Sequence, residues 1–250
     1  MVSGGEKHIT FFEHLGEFRS RLIRSLVVLG FFSCLLFNTS ETVLQLLIHP
    51  VGRVVFSTPT EAFSVRIILS LCSGFIVSMP FLLYELWQFV ALALAEKEKR
   101  YVVVFIPLSF AFFACGCLFA YVVMLPVMLR FFLSFATPYL APMITVGKYI
   151  SFIVTVVLSM GLMFEFPLVV AFLTKIGIAT PAFLTEKRRH AIVWIFVISA
   201  VLTPSPDMVS QILMAGPLIV LYEVSIIFSR FVLYLNERKE KPGLDGPSLS

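Results

Sequence analysis

Apolar residues in this chain run in long unbroken blocks, and polar residues gather between them. Six blocks stand out, at roughly Leu22–Phe37, Phe63–Trp87, Tyr101–Leu125, Tyr149–Lys175, Ala191–Leu202 and Met208–Phe228. About 20 helical residues are needed to cross a hydrocarbon core of ~30 Å. The second, third and fourth blocks meet that length. The first meets it if the amphipathic stretch before it continues the helix. The fifth gives only about 18 Å of helix at 1.5 Å per residue, and the sixth is interrupted by Gly216-Pro217 and Glu223. The turn Thr203-Pro-Ser-Pro-Asp207 joins the last two into a hairpin, with Asp207 placed to cap the final helix. Both arms of that hairpin read as short, which predicts local thinning of the bilayer or failure to reach one face.

Composition agrees. Of 250 residues, 59% are hydrophobic and 14% charged, with 27 phenylalanines. A soluble domain of this size could not cover its surface with so few polar groups. The alternation of a membrane β-barrel is missing. The expected fold is all-α, a polytopic membrane protein with one six-helix domain over 1–235 and a disordered, charged tail over 236–250. No small-x-small site follows the first apolar block, so it reads as a retained span rather than a cleaved signal.

All but four of the nineteen Lys and Arg fall on one side of this layout. They lie in the N-terminal segment (Lys7, Arg19, Arg21, Arg24), after the second block (Lys97, Lys99, Arg100), after the fourth (Lys175, Lys187, Arg188, Arg189) and in the tail. The opposite side holds only Arg53, Arg66, Arg130 and Lys148. The positive-inside rule puts both termini in the cytoplasm. The two larger loops on the other side contain apolar pieces and prolines, and read as short helices capping that face.

Three groups of residues carry candidate chemistry. The first is Glu13-His14-Leu15-Gly16-Glu17-Phe18-Arg19-Ser20-Arg21-Leu22. As a helix it pairs Glu17 with Arg21 four residues on, or it offers Glu17 to an incoming cation. The second runs from Tyr84 through Trp87 and Phe89 to Glu98 and Arg100. Its apolar part is either a surface helix or a docking surface for an apolar peptide. The third is the polar set within the spans: Glu165, Glu223, Gln211 and Asp207, with Glu85 near an inner end. A carboxylate at mid-span costs roughly 2.5–3.5 kcal/mol on insertion scales, so Glu165 needs a reason to be there. Pro167 is expected to kink the helix beside it.

The four cysteines lie in apolar runs and the four histidines are scattered, so no metal site is suggested. Nucleotide-binding and hydrolase motifs are missing, and no cofactor is implied. A proton-coupled transporter predicts internal symmetry, which the sequence does not show.

Taken in order, His14-Leu15-x-Glu17-x-Arg19-x-Arg21-Leu22, Pro50, Pro59-x-Glu61-Ala-Phe63, Pro80, Tyr84-x-x-Trp87-x-Phe89, Glu98-Lys-Arg100, Phe119-Ala-Tyr121 with Pro126, Phe164-Glu165-x-Pro167, Gly177-Ile-x-Thr-Pro181, Leu202-Thr-Pro204 with Asp207, Gln211, Pro217 and Tyr222-Glu223 resemble the twin-arginine translocase C subunit (TatC) family. The resemblance spans roughly residues 10–235. It implies a cup-like six-helix protein of the inner membrane, not an enzyme, that recognises signal peptides with paired arginines. The family moves folded proteins across the membrane using the protonmotive force. It works with single-span TatA and TatB subunits in an oligomeric complex within the lipid bilayer, without nucleic acid. By that resemblance Glu17 and Glu98 would meet the two arginines, with Arg19, Leu22 and Phe89 beside them. Glu165, Gln211, Asp207, Pro50, Phe63 and Tyr121 would serve partner helices or transport. One departure is Leu92, which stands where the family pattern has proline.

Overall fold

The computed structural model describes residues 11–49, 51–52, 54–92, 96–137, 139, 142–203 and 207–240. The described chain is helical: α1 (Phe11–Leu35), α2 (Ser40–Ile48), α3 (Pro59–Leu92), α4 (Glu96–Phe119), a π-helical turn (Ala120–Met124), α5 (Leu125–Leu133), α6 (Val146–Phe164), α7 (Phe166–Lys175), α8 (Pro181–Glu186), α9 (Arg188–Leu202) and α10 (Met208–Glu240). No strand element occurs among the described residues. An all-α polytopic membrane fold is what the apolar blocks predict.

Four stretches are long and apolar enough on their own to cross a membrane: Pro59–Ala91, Val102–Leu133, Val146–Lys175 and Met208–Tyr234. A fifth arises if Leu15–Leu35 and Ser40–Ile48, bent by 76°, are one span. The lead-in before Leu22 does continue the first helix, which begins at Phe11. α9 has 15 residues, or ~22 Å of helix, and is short as expected. α10 departs from expectation. It runs unbroken through Pro217 for 33 residues, so the last block is long and only one arm of the hairpin is short. Proline is tolerated in such helices because neighbouring groups satisfy the freed carbonyl. α10 also continues to Glu240, where a disordered tail was expected from 236; residues 241–250 lie outside the described residues.

The loop after α1, expected on the outer side, carries the expected short helix, α2. The second such loop does not, among its described residues. Instead the preceding helix extends through the π-helical turn into α5. The wider turn, closed by Leu125 N–H on the Ala120 carbonyl, falls where Pro126 enters the helix. A proline lacks an amide donor, and the π turn absorbs the missing bond.

The described chain packs as two compact units, one ending at Phe110 and the other beginning at Ala111. In the first unit α1 lies along α3. The contact is close because Ser70 Oγ donates to the Ser33 carbonyl (2.8 Å) and Gly74 faces the backbone of Ser33. A Cβ on Gly74 would come within 2.7 Å of Ser33 N and 2.8 Å of Ser33 Cα. Small residues that let backbones approach are how helices associate in lipid, where apolar burial gives no net driving force. The buried Trp87 ties α3 to α4, donating from Nε1 to Ser109 Oγ (2.8 Å) and packing on Phe105. In the second unit Gly116 and Gly161 make an equally close crossing of α4 and α6. α10 packs on α7, α8 and α9, and the hydroxyls of Thr174 and Ser229 bond at 2.7 Å in its buried interface with α7.

Replacing Gly74 by Val is expected to cost about 1–3 kcal/mol, the usual penalty of overpacking, read as a fall in the detergent unfolding midpoint. Gly30→Ala, which meets nothing within 4 Å, should stay within about 0.5 kcal/mol of the parent.

Candidate functional site

One end of the α1–α3 pair carries charge. Helical spacing on α1 puts Glu17, Arg21 and Arg24 on one face, and α3 brings Glu85 against it. Arg21 bridges two carboxylates. Its Nη2 lies 2.8 Å from Glu17 Oε1, and its Nη1 lies 2.8 Å from Glu85 Oε2. Arg24 Nη1 sits 3.1 Å from Glu85 Oε1, and its Nη2 is 4.0 Å from Glu17 Oε1. Both oxygens of Glu85 are therefore engaged. Glu17 takes both arginines on one oxygen.

Burial separates the two acids. The Glu85 side chain is 4% exposed and that of Glu17 39%. Desolvation makes a lone charge at the Glu85 position costly, and two guanidiniums compensate it. Glu17 keeps part of its carboxylate in solvent while paired with Arg21. Beside this network is a crevice walled by Phe18, Leu22, Leu82, Leu86 and Phe89, with Arg21 and Glu85 at its polar edge. Phe18 and Phe89 close it with ring centroids 5.5 Å apart. An apolar slot bordered by a half-exposed carboxylate suits a segment that is cationic at one point and apolar next to it.

Of the residues expected to bind ligand, Glu17, Leu22 and Phe89 are thus brought together. The pairing of Glu17 with Arg21 is the i,i+4 bond that their spacing predicts. Arg19 is exposed on the same helix. Glu98 lies in the first turn of α4, but its side chain is outside the described residues. α3 remains helical through Leu92. Sequence reasoning placed Glu85 with the polar set near an inner end but did not pair it with Arg21 and Arg24. The available signal was a carboxylate inside an apolar run two residues before Trp87.

The other polar residues find separate partners. Pro167 does break its helix: α6 ends at Phe164, α7 begins at Phe166, and Glu165 is the joint, its carbonyl accepting from Leu168 N and Val169 N at 3.0 Å. Asp207 caps α10, its Oδ2 accepting from Ser210 N at 2.7 Å. Gln211 Nε2 donates to the Phe196 carbonyl on α9 (3.0 Å) and locks the hairpin. Glu223 pairs with Arg188 at 2.8 Å. Tyr222 stacks on Phe166 and donates its hydroxyl to the Leu184 carbonyl at 2.6 Å. Phe63 is exposed near the start of α3, and Tyr121 sits in the π-helical turn. Pro50 lies outside the described residues. Among the described residues no three His, Cys, Asp or Glu are grouped to hold a metal ion.

Apolar spans, an ion-pair network at the edge of an apolar crevice and polar joints within the helices define a multi-pass membrane protein that works by binding. The family profile described as Sec-independent protein translocase protein (TatC) matches residues 13–217. Sec-independent protein translocase proteins TatC of Carboxydothermus hydrogenoformans and Aquifex aeolicus are 37% and 39% identical to the chain. The alignments cover 91% and 92% of this chain, and 95% and 96% of those proteins. A crystal structure of the twin-arginine translocase receptor TatC matches with TM-score 0.81 at 37% identity, over 88% of this chain and 100% of that one. The chain belongs to the TatC family. It is a core receptor subunit of the twin-arginine translocase, part of a protein complex in the bacterial inner membrane, and not an enzyme.

Tyr222→Phe removes the hydroxyl bond to α8 while keeping the ring stack. It should cost about 1 kcal/mol of stability, measured by thermal unfolding in detergent.

Proposed function

We propose that the crevice between α1 and α3 receives the paired arginines and adjoining apolar segment of signal peptides on folded cargo. The observation that carries this is Glu17, a half-exposed carboxylate paired with Arg21, which lines an apolar slot. A guanidinium binds a carboxylate through two parallel hydrogen bonds, which an ammonium cannot reproduce. The four charges described around the crevice, two acids and two arginines, sum to zero. Two incoming arginines need a further carboxylate, and Glu98 is our assignment for it. Arg19, Leu22 and Phe89 flank the peptide.

In this reading both termini are cytoplasmic, six segments cross or enter the membrane, and the crevice opens to the cytoplasm. The positive bias of the surrounding loops opposes long-range recruitment of a basic peptide. Affinity is local, shared between the arginines and the apolar segment. Glu165, Gln211 and Asp207, with Pro50, Phe63 and Tyr121, serve the approach of single-span TatA- and TatB-type subunits and the transport step driven by the protonmotive force. Several copies assemble in the working complex. The short α9 is where the bilayer is strained.

The test is binding of an Arg-Arg signal peptide and its Lys-Lys twin to the detergent-purified protein. Arg-Arg should bind at least tenfold tighter, about 1.4 kcal/mol, and Glu17→Gln or Glu98→Gln should abolish the difference. Equal binding of both peptides, indifferent to both variants, would refute the receptor reading of the crevice. Glu165→Gln should leave peptide binding intact but impair transport or partner assembly in a translocation assay. Full transport by that variant would reduce Glu165 to a helix joint.

A further inference from the structure

Arg21 and Arg24 form an arginine pair of the chain's own, already seated on the carboxylate assigned above to the ligand. Arg21 occupies Glu17 Oε1 at 2.8 Å with a side chain only 15% exposed. A forked guanidinium–carboxylate bond uses both acceptor oxygens, so an incoming arginine must compete with Arg21 for Oε1 of Glu17. If Arg21 simply left, a buried cation would lose its partner, which is strongly unfavourable. Glu85 removes that obstacle. It is nearly fully buried, its Oε2 already holds Arg21 Nη1 at 2.8 Å, and its Oε1 holds Arg24 at 3.1 Å.

We infer that peptide binding is an exchange, in which a ligand arginine displaces Arg21 from Glu17 while Glu85 keeps hold of both resident arginines. The inference rests on the receptor reading and adds a specificity element to it. Glu85 is a positioning residue: it acts through Arg21, both its oxygens being taken by the resident arginines. Arg21 is a built-in competitor. A ligand gains entry only by making a bond better than the single guanidinium contact it replaces. Arginine meets that condition; lysine, a compact and strongly hydrated point charge, does not. Competition of this kind gives up affinity for discrimination, the logic of designing against the wrong partner.

The experiment extends the peptide titration to a cycle of Glu85→Gln, Arg21→Gln and the double variant, each with Arg-Arg and Lys-Lys peptides and a thermal unfolding scan. Glu85→Gln leaves both resident arginines dependent on Glu17. Arg-Arg affinity should fall by about tenfold, the worth of one charge-assisted hydrogen bond. Arg21→Gln frees Glu17, so Arg-Arg affinity should rise about threefold or more, and discrimination against Lys-Lys should shrink. The double variant should recover the affinity lost in Glu85→Gln. Arg21→Lys, which holds one carboxylate at a time, should shift in the same direction as Arg21→Gln and serves if the latter does not fold. A merely structural role for Glu85 would lower the unfolding midpoint without rescue by Arg21→Gln. The exchange is overturned if Arg21→Gln weakens Arg-Arg binding, or if the loss in Glu85→Gln is not recovered in the double variant. A parent protein that does not distinguish Arg-Arg from Lys-Lys removes the receptor reading itself, and the exchange with it.

Discussion

A carboxylate almost withdrawn from solvent at the end of a membrane helix must find its counter-charges within the protein, and here Glu85 finds two. Arg21 and Arg24 reach it from α1, 64 and 61 positions earlier in sequence. That demand sets the rotation of α1, because only the face carrying Glu17, Arg21 and Arg24 satisfies it. The far stretch of the same pair obeys a different rule. There Ser33, Ser70 and Gly74 bring the backbones together without charge. One helix pair is thus held by ion pairing at the end that offers a ligand crevice and by close steric fit along the rest. The crevice walls, Phe18 and Leu22 on α1 with Leu86 and Phe89 on α3, follow from that registration.

The second unit satisfies its polar groups one at a time. Gln211, Asp207, Glu223 and Tyr222 each bond a named neighbour, and three of those bonds tie α10 to α8 or α9. This bears on the choice between a translocase subunit and a proton-coupled transporter. Had Glu165 and Glu223 formed a relay, Glu223 would be expected to face a shared cavity. Instead it is half exposed and held by Arg188. Glu165 marks the joint between α6 and α7, where the proline two residues on prevents a continuous helix. A jointed helix beside a short α9 gives this unit local irregularity, while α10 supplies an unbroken helix of 33 residues.

What could be read from sequence was what hydropathy and local spacing encode. The apolar blocks marked the helices, the 3.6-residue period paired Glu17 with Arg21, and the Thr203–Asp207 turn announced the cap on α10. What could not be read depended on distant partners or on competition between local rules. Nothing near Glu85 in sequence says that arginines on α1 will meet it. Pro217 and Pro126 carry the same local signal, yet one sits inside a continuous helix and the other follows a π-helical turn, because the surrounding packing decides where the freed carbonyl goes. The second outer loop was read as a separate capping helix, since apolar residues there do not reveal that the helix before it extends to Leu133.

The charge balance of the crevice explains why a site of this kind can be selective without being strongly attractive. Two acids and two arginines leave no net field to draw in a basic ligand. Any gain on binding must come from hydrogen-bond geometry and from apolar contact, both of which act only at contact distance. Geometry separates arginine from lysine, whereas net charge does not. A strongly acidic pocket would bind both and would capture any basic segment near the membrane. A neutral network with one half-exposed carboxylate rejects most of them and leaves the decision to the shape of the cation and the apolar residues that follow it. In the proposed reading the resident arginines belong to the recognition surface, because they cancel the attraction that would otherwise make the crevice indiscriminate.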